Sequence, residues 1–120
     1  MSDKSIFSKI IDREAPANII FENERIIVIE DIKKDAPIHY LGITKHPFKS
    51  MHELLMSDSK DLLWELMNKL AEIAANEGIA ETGYRFVTNI GPNAHQVVPH
   101  LHVHLLGGAC LHMKDPNINA

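Results

Sequence analysis

Apolar side chains recur along this chain with two periods, and the switches between them mark the expected elements. Phe7, Ile10 and Ile11 fall at helical spacing after a possible cap at Ser5, and Pro16 ends the pattern, which predicts a short N-terminal helix. The β-branched and aromatic runs Ile19 to Phe21 and Arg25 to Glu30, separated by the turn-like Glu22-Asn23-Glu24, predict a hairpin. A further strand is expected over Ile38 to Thr44, entered through the turn Lys34-Asp35-Ala36-Pro37. Leu62, Leu63, Leu66, Met67, Leu70, Ile73 and Ala74 then repeat every three or four residues, predicting one long helix from Ser57 or Asp58 to Gly78. Its apolar stripe has to be buried in the core or, in part, against a second subunit, with Trp64 the residue placed to serve the latter. Tyr84 to Thr88 alternates as a strand, Gly91-Pro92-Asn93 turns the chain, and Val97 to Leu106 reads as a last strand ended by Gly107-Gly108. Antiparallel strands with two helices give an α+β fold. One domain is expected over residues 1–120, with the first few residues and the tail 111–120 poorly ordered.

Composition narrows the function classes. The 45% apolar and 23% charged fractions are those of an ordinary globular protein and exclude disorder and low-complexity sequence. No apolar run approaches the ~20 residues a bilayer-spanning helix needs. Met1 to Lys9 has no signal-peptide-like apolar stretch, and Cys110 is the single cysteine, so a reducing, cytoplasmic setting without membrane contact is expected. A net charge of −4 disfavours a nucleic-acid surface but leaves room for a pocket that takes one phosphate. The eight histidines stand out, because four of them lie between His95 and His104.

His100-Leu101-His102-Val103-His104-Leu105-Leu106 alternates with period two, which assigns Leu101, Val103 and Leu105 to one strand face and three imidazoles to the other. A solvated face would carry threonine, lysine or glutamate more commonly. A metal site is limited by reach, because His100 and His104 lie ~13 Å apart at a rise of ~3.3 Å per residue. An ion would need ligands from elsewhere, for which His39, His46, His52 or Asp31 could be proposed without any tight spacing, and neither CxxC nor HExxH occurs. The third reading is nucleophilic catalysis at phosphorus: a neutral imidazole attacks a phosphoryl centre, and the resulting phosphoramidate leaves readily once its ring is protonated. The central histidine suits that role, with neighbours ~7 Å away on either side to orient it and to donate to phosphate oxygens.

The run Gln96-Val97-Val98-Pro99-His100-Leu101-His102-Val103-His104-Leu105-Leu106-Gly107-Gly108 resembles the signature of the histidine triad (HIT) family, and its final Gly-Gly is similar to the Hint-type branch. Ile6 to Ile11, Pro16 to Glu22, and Asp31-Ile32 with Ala36-Pro37 resemble that branch in order and spacing, so the likeness covers about residues 5–112. It implies an antiparallel sheet with a short N-terminal helix and one long central helix, dimerising into a continuous sheet. It also implies hydrolysis of purine nucleoside 5′-phosphoramidates or aminoacyl-nucleotide adducts to a nucleoside monophosphate, without metal or other cofactor.

By position, the resemblance makes His102 the nucleophile and His100 the residue that orients it. His104 would contact the phosphate or bridging position, and Gln96 with the amides near Val97 and Val98 would hold phosphate oxygens. Asn89 would lie at phosphate and ribose, Asp31 would accept the ribose hydroxyls, and Phe7, Ile10, Ile29 and Ile32 would wall the base. His46, one residue out of register with a family histidine, is a candidate supporting residue. The chain departs from the pattern at His95, where many relatives have glycine, and at Val97, where many have a serine or threonine hydroxyl. Val97 favours one alternative, a nucleotide-binding regulatory or scaffold protein with vestigial catalysis; a metal-binding histidine-rich protein is another. The enzymatic reading requires the middle imidazole to face an open cavity with its nitrogen free.

Overall fold

The computed structural model describes residues 4–112, so the expectations for the first three residues and for the tail beyond 112 lie outside it. Its elements follow the order α1 (Ile6–Ile11), β1 (Ile19–Glu22), β2 (Ile26–Glu30), β3 (Ile38–Thr44), α2 (Met51–Leu55), α3 (Lys60–Asn76), β4 (Tyr84–Val87) and β5 (His102–Gly107). All strand pairs are antiparallel, in the order β1-β2-β3-β5-β4. This is the α+β arrangement expected. No helix among the described residues is long and apolar enough to cross a membrane.

Two layers of side chains sandwich the sheet. On one face Ile26, Val28, Tyr40, Leu101, Val103 and Leu105 meet Leu62, Leu66, Leu70, Ile73 and Ala74 of α3. That helix comes so close that a Cβ built on Gly42 would lie 2.8 Å from Leu70 Cδ1, which is why the middle of β3 carries no side chain there. The opposite face packs Ile27, Ile29, Leu41 and Ile43 under Phe7 and Ile10 of α1. The Ser5 hydroxyl accepts the Ser8 N–H at 3.1 Å and caps α1.

The start of the last strand and the number of helices differ from expectation. The last strand begins at His102, not Val97: Gly91 to Leu101 forms a loop with a 3-10 turn at Pro92–Ala94, and Pro99 has no N–H to give a ladder. The helix α2 was not anticipated, since five residues carry too little periodicity to register. In the loop His95 sits at φ 59°, in the left-handed region that glycine enters freely and an imidazole-bearing residue enters at a cost.

Candidate active site

In the β3–β5 ladder His104 lies opposite Leu41 and His102 opposite Ile43, so both imidazoles project onto the face that α1 covers. The alternation therefore does not separate a buried from a solvated face: His100, His102 and His104 are each no more than 2% exposed. The Phe7 ring stands edge-on to His102 at 4.9 Å and to His100 at 6.1 Å, while the His102 and His104 rings lie 5.5 Å apart.

Hydrogen bonds set the protonation of these rings. His102 Nδ1 lies 2.7 Å from the His100 carbonyl oxygen, which can only accept, so the N–H of a neutral His102 is on Nδ1 and its Nε2 carries a lone pair. His100 donates from Nε2 to the Thr44 carbonyl at 2.7 Å, and its Nδ1 lies 3.1 and 3.3 Å from the Ser5 and Ser8 hydroxyls. His100 thus orients the central ring through its backbone oxygen, with its own ring anchored between α1 and the end of β3. The Thr88 hydroxyl donates to the His102 carbonyl at 2.9 Å and ties the strand from the other side.

Two buried side-chain nitrogens among the described residues have no partner, His102 Nε2 and His104 Nε2. An orphaned buried polar atom typically costs about 1–3 kcal/mol, so this pair is an expense the core does not require. Desolvation holds His100 below the usual histidine range and pushes His104 down to about 3, with the neighbouring His102 and His39 rings adding to the latter. Both are neutral near pH 7.

Among the described residues, His102 is covered instead of facing the expected open cavity, with 2% of its surface exposed. Phe7 and Ile10 close over Ile27, Ile29, Leu41 and Ile43, and Val98 packs against them. A cavity of about 360 Å³ reaches the cluster at His100, lined by Lys4, Ser5, Ser8, Pro47 and Pro99. The enclosure is apolar packing, however, and leaves the nitrogen unbonded.

The remaining expected residues lie in several places. Asp31 and Ile32 lie at the end of β2; Ile32 is 95% exposed, a large apolar side chain with nothing packed on it. Asp31 accepts the Lys33 N–H at 2.9 Å and places its other oxygen 3.3 Å from His39 Nε2. Phe7, Ile10 and Ile29, read as base-pocket walls, form core here. The Gln96 side chain braces the loop: its carbonyl accepts the Gly91 N–H, and its amide donates to the Lys49 and Val98 carbonyls. Among the described residues no bond uses the N–H groups of Val97 and Val98, and the Val97 side chain is 66% exposed. Asn89 is half-buried, two residues past β4.

His46 is not brought into the cluster. Its ring packs edge-on against Phe48 and, with Glu24, Arg25, Ser59 and Leu62, lines a separate cavity, because the chain turns toward α3 after Thr44. The histidine that does join is His39 of β3, whose Nε2 lies 2.8 Å from His104 Nδ1. Its sequence signal was a polar residue at the two-residue spacing of Leu41 and Ile43, on a stripe otherwise apolar. Asp31, His39 and His104 also offer donor atoms within 4.8 Å of one another, the only such group among the described residues. A tetrahedral ion with bonds of about 2.0–2.1 Å holds its ligand atoms about 3.3 Å apart. The 2.8 Å N···N separation is that of a hydrogen bond, so a proton joins His39 to His104.

Residues 4–115 match the family model described as scavenger mRNA decapping enzyme C-term binding. An uncharacterized HIT-like protein of Synechococcus elongatus is 44% identical over 111 residues, covering 92% of this chain and 96% of its own length. The purine nucleoside phosphoramidase of Escherichia coli is 37% identical over 108 residues, covering 90% of each chain. Among solved structures, a HIT family hydrolase from Clostridium thermocellum shares the fold at a TM-score of 0.86 and 41% identity, covering 95% of this chain and 98% of its own.

Proposed function

The chain belongs to the histidine triad (HIT) family, and from that membership we propose that it hydrolyses the P–N bond of purine nucleoside 5′-phosphoramidates or aminoacyl-nucleotide adducts. The observation that carries this reading is the unbonded Nε2 of His102, a lone pair held in place by the bond from Nδ1 to the His100 carbonyl. That lone pair attacks the α-phosphorus as the P–N bond breaks, and the amine departs with its electron pair and takes a proton from solvent, which the later attack by water returns. Water then attacks the nucleotidyl-histidine, restoring His102 and releasing the nucleoside monophosphate.

The His100 carbonyl accepts from Nδ1–H throughout and stabilises the positive charge the ring carries in the intermediate. The free amides of Val97 and Val98 face phosphate oxygens, Asp31 accepts the ribose hydroxyls, and exposed Ile32 packs on the base. The open cavity this reading requires in front of His102 forms only when entering substrate displaces the Phe7 ring, which covers the imidazole at 4.9 Å. The purine preference rests on the name of the Escherichia coli relative. The protein acts as a homodimer, for which the open edge of β4 continues the sheet, and works without a cofactor. The exposed thiol of Cys110 fits a reducing cytoplasm.

Turnover of adenosine 5′-phosphoramidate by wild type and by His102→Ala tests the reading. The variant is expected to retain its fold and lose about four orders of magnitude or more in kcat; undiminished turnover overturns the nucleophile. A second reading, nucleotide binding with vestigial catalysis, is favoured by the valine at 97 and by the closed front of His102. Wild-type protein that binds nucleoside monophosphate yet turns over none of several amine adducts selects it.

A further inference from the structure

His39 lies outside the three-histidine motif, yet its contacts decide which nitrogen of His104 carries a proton. The backbone N–H of Asp35 donates to His39 Nδ1 at 3.0 Å, so that nitrogen has a lone pair and the single N–H of the neutral ring is on Nε2. Nε2 lies 2.8 Å from His104 Nδ1. The reverse direction, His104 donating to His39, would require His39 to accept at both nitrogens as an imidazolate. A doubly protonated His39 would set its Nδ1–H against the Asp35 N–H. Burial favours the neutral ring and outweighs the pull of the Asp31 and Asp35 carboxylates. Asp31 Oδ2, at 3.3 Å, is the longer and weaker alternative acceptor for the same proton.

We propose that His39 is a positioning residue that locks His104 as its Nε2–H tautomer, so that the site sets one N–H donor beside one bare nitrogen, His102 Nε2. The two orphaned nitrogens are then a complementary pair, a nucleophile and a donor for a phosphate oxygen or for the departing amine. His104 acts as a neutral donor, since burial keeps it from becoming a cation. The catalytic consequence rests on the proposed reaction; the tautomer does not.

The test is a two-bond proton–nitrogen correlation spectrum of protein carrying 15N-histidine, recorded for wild type, His39→Leu and His39→Gln, with turnover of adenosine 5′-phosphoramidate alongside. In wild type, His104 should show a bare Nδ1 and a protonated Nε2. The leucine variant, which has no donor, should mix the two tautomers and lower kcat by about ten- to a hundred-fold, with KM little changed. The glutamine variant, whose amide can still donate to His104 Nδ1, should recover most of both. A protonated Nδ1 on wild-type His104 overturns the proposal, as does a leucine variant with the wild-type pattern and kcat. The expected nitrogen pattern in a wild type without turnover upholds the tautomer lock and overturns the reaction instead.

Discussion

Acidification from pH 7 to pH 5 should cost the fold about 2 kcal/mol through His104 alone. Its imidazole is displaced from an ordinary 6.5 to about 3, first by burial and then by repulsion from His102 and His39. As the pH falls through 6.5 the unfolded chain takes up a proton at this residue, whereas the folded chain does so only near 3, so acid favours unfolding across that window. Above 6.5 both states are neutral here and the contribution vanishes. A full proton of difference is worth about 1.4 kcal/mol per pH unit, and integration from pH 7 to 5 gives about 2 kcal/mol because uptake is only beginning at the upper end. His39 and His100, also lowered mainly by burial, steepen the loss in the same direction. The ion-paired carboxylates of Glu22, Glu30 and Asp61 are held below ordinary values of 4.5, 4.5 and 3.8, so they act in more acidic solution and leave this interval to the histidines. Urea unfolding of wild type and His104→Gln at several values between pH 7 and 5 measures the effect. A wild-type stability that stays flat over the interval, or a glutamine variant that keeps the wild-type slope, would refute the burial of a neutral His104.

Phe7→Ala removes the ring that covers His102 and is 5% exposed in the second core, so chemical denaturation should show a loss of about 3–5 kcal/mol. In the same variant a histidine-directed acylating reagent should modify His102 faster than in wild type; an unchanged rate means Phe7 does not control access. Light scattering should give twice the 13.5 kDa chain mass, and a monomer at working concentration contradicts assembly through β4.

Much of the framework was legible because periodicity and burial agree in it. The apolar repeat of α3, the hairpin of β1 and β2 and the whole of β3 follow from which residues can be hidden on one side. The start of β5 was misplaced because Val97 and Val98 have strand-forming side chains, while the obstacle is a backbone one, the missing N–H of Pro99. The triad was visible as spacing, but its burial was not, since only tertiary packing sets α1 across the imidazole face. For the same reason Phe7, Ile10 and Ile29 could not be told apart from core residues. His46 was proposed from a near match to a family histidine; the β3–β5 register, which no single segment encodes, is what pairs His39 with His104 instead.

Intact-mass analysis of protein quenched within milliseconds of mixing with adenosine 5′-phosphoramidate tests most directly whether His102 Nε2 bonds to phosphorus. The expected result is a transient gain of one adenylyl group per chain, mapped by fragmentation to His102 and lost in His102→Ala. Turnover with no adduct on any histidine, or an adduct on His100 or His104 that survives in His102→Ala, would contradict it.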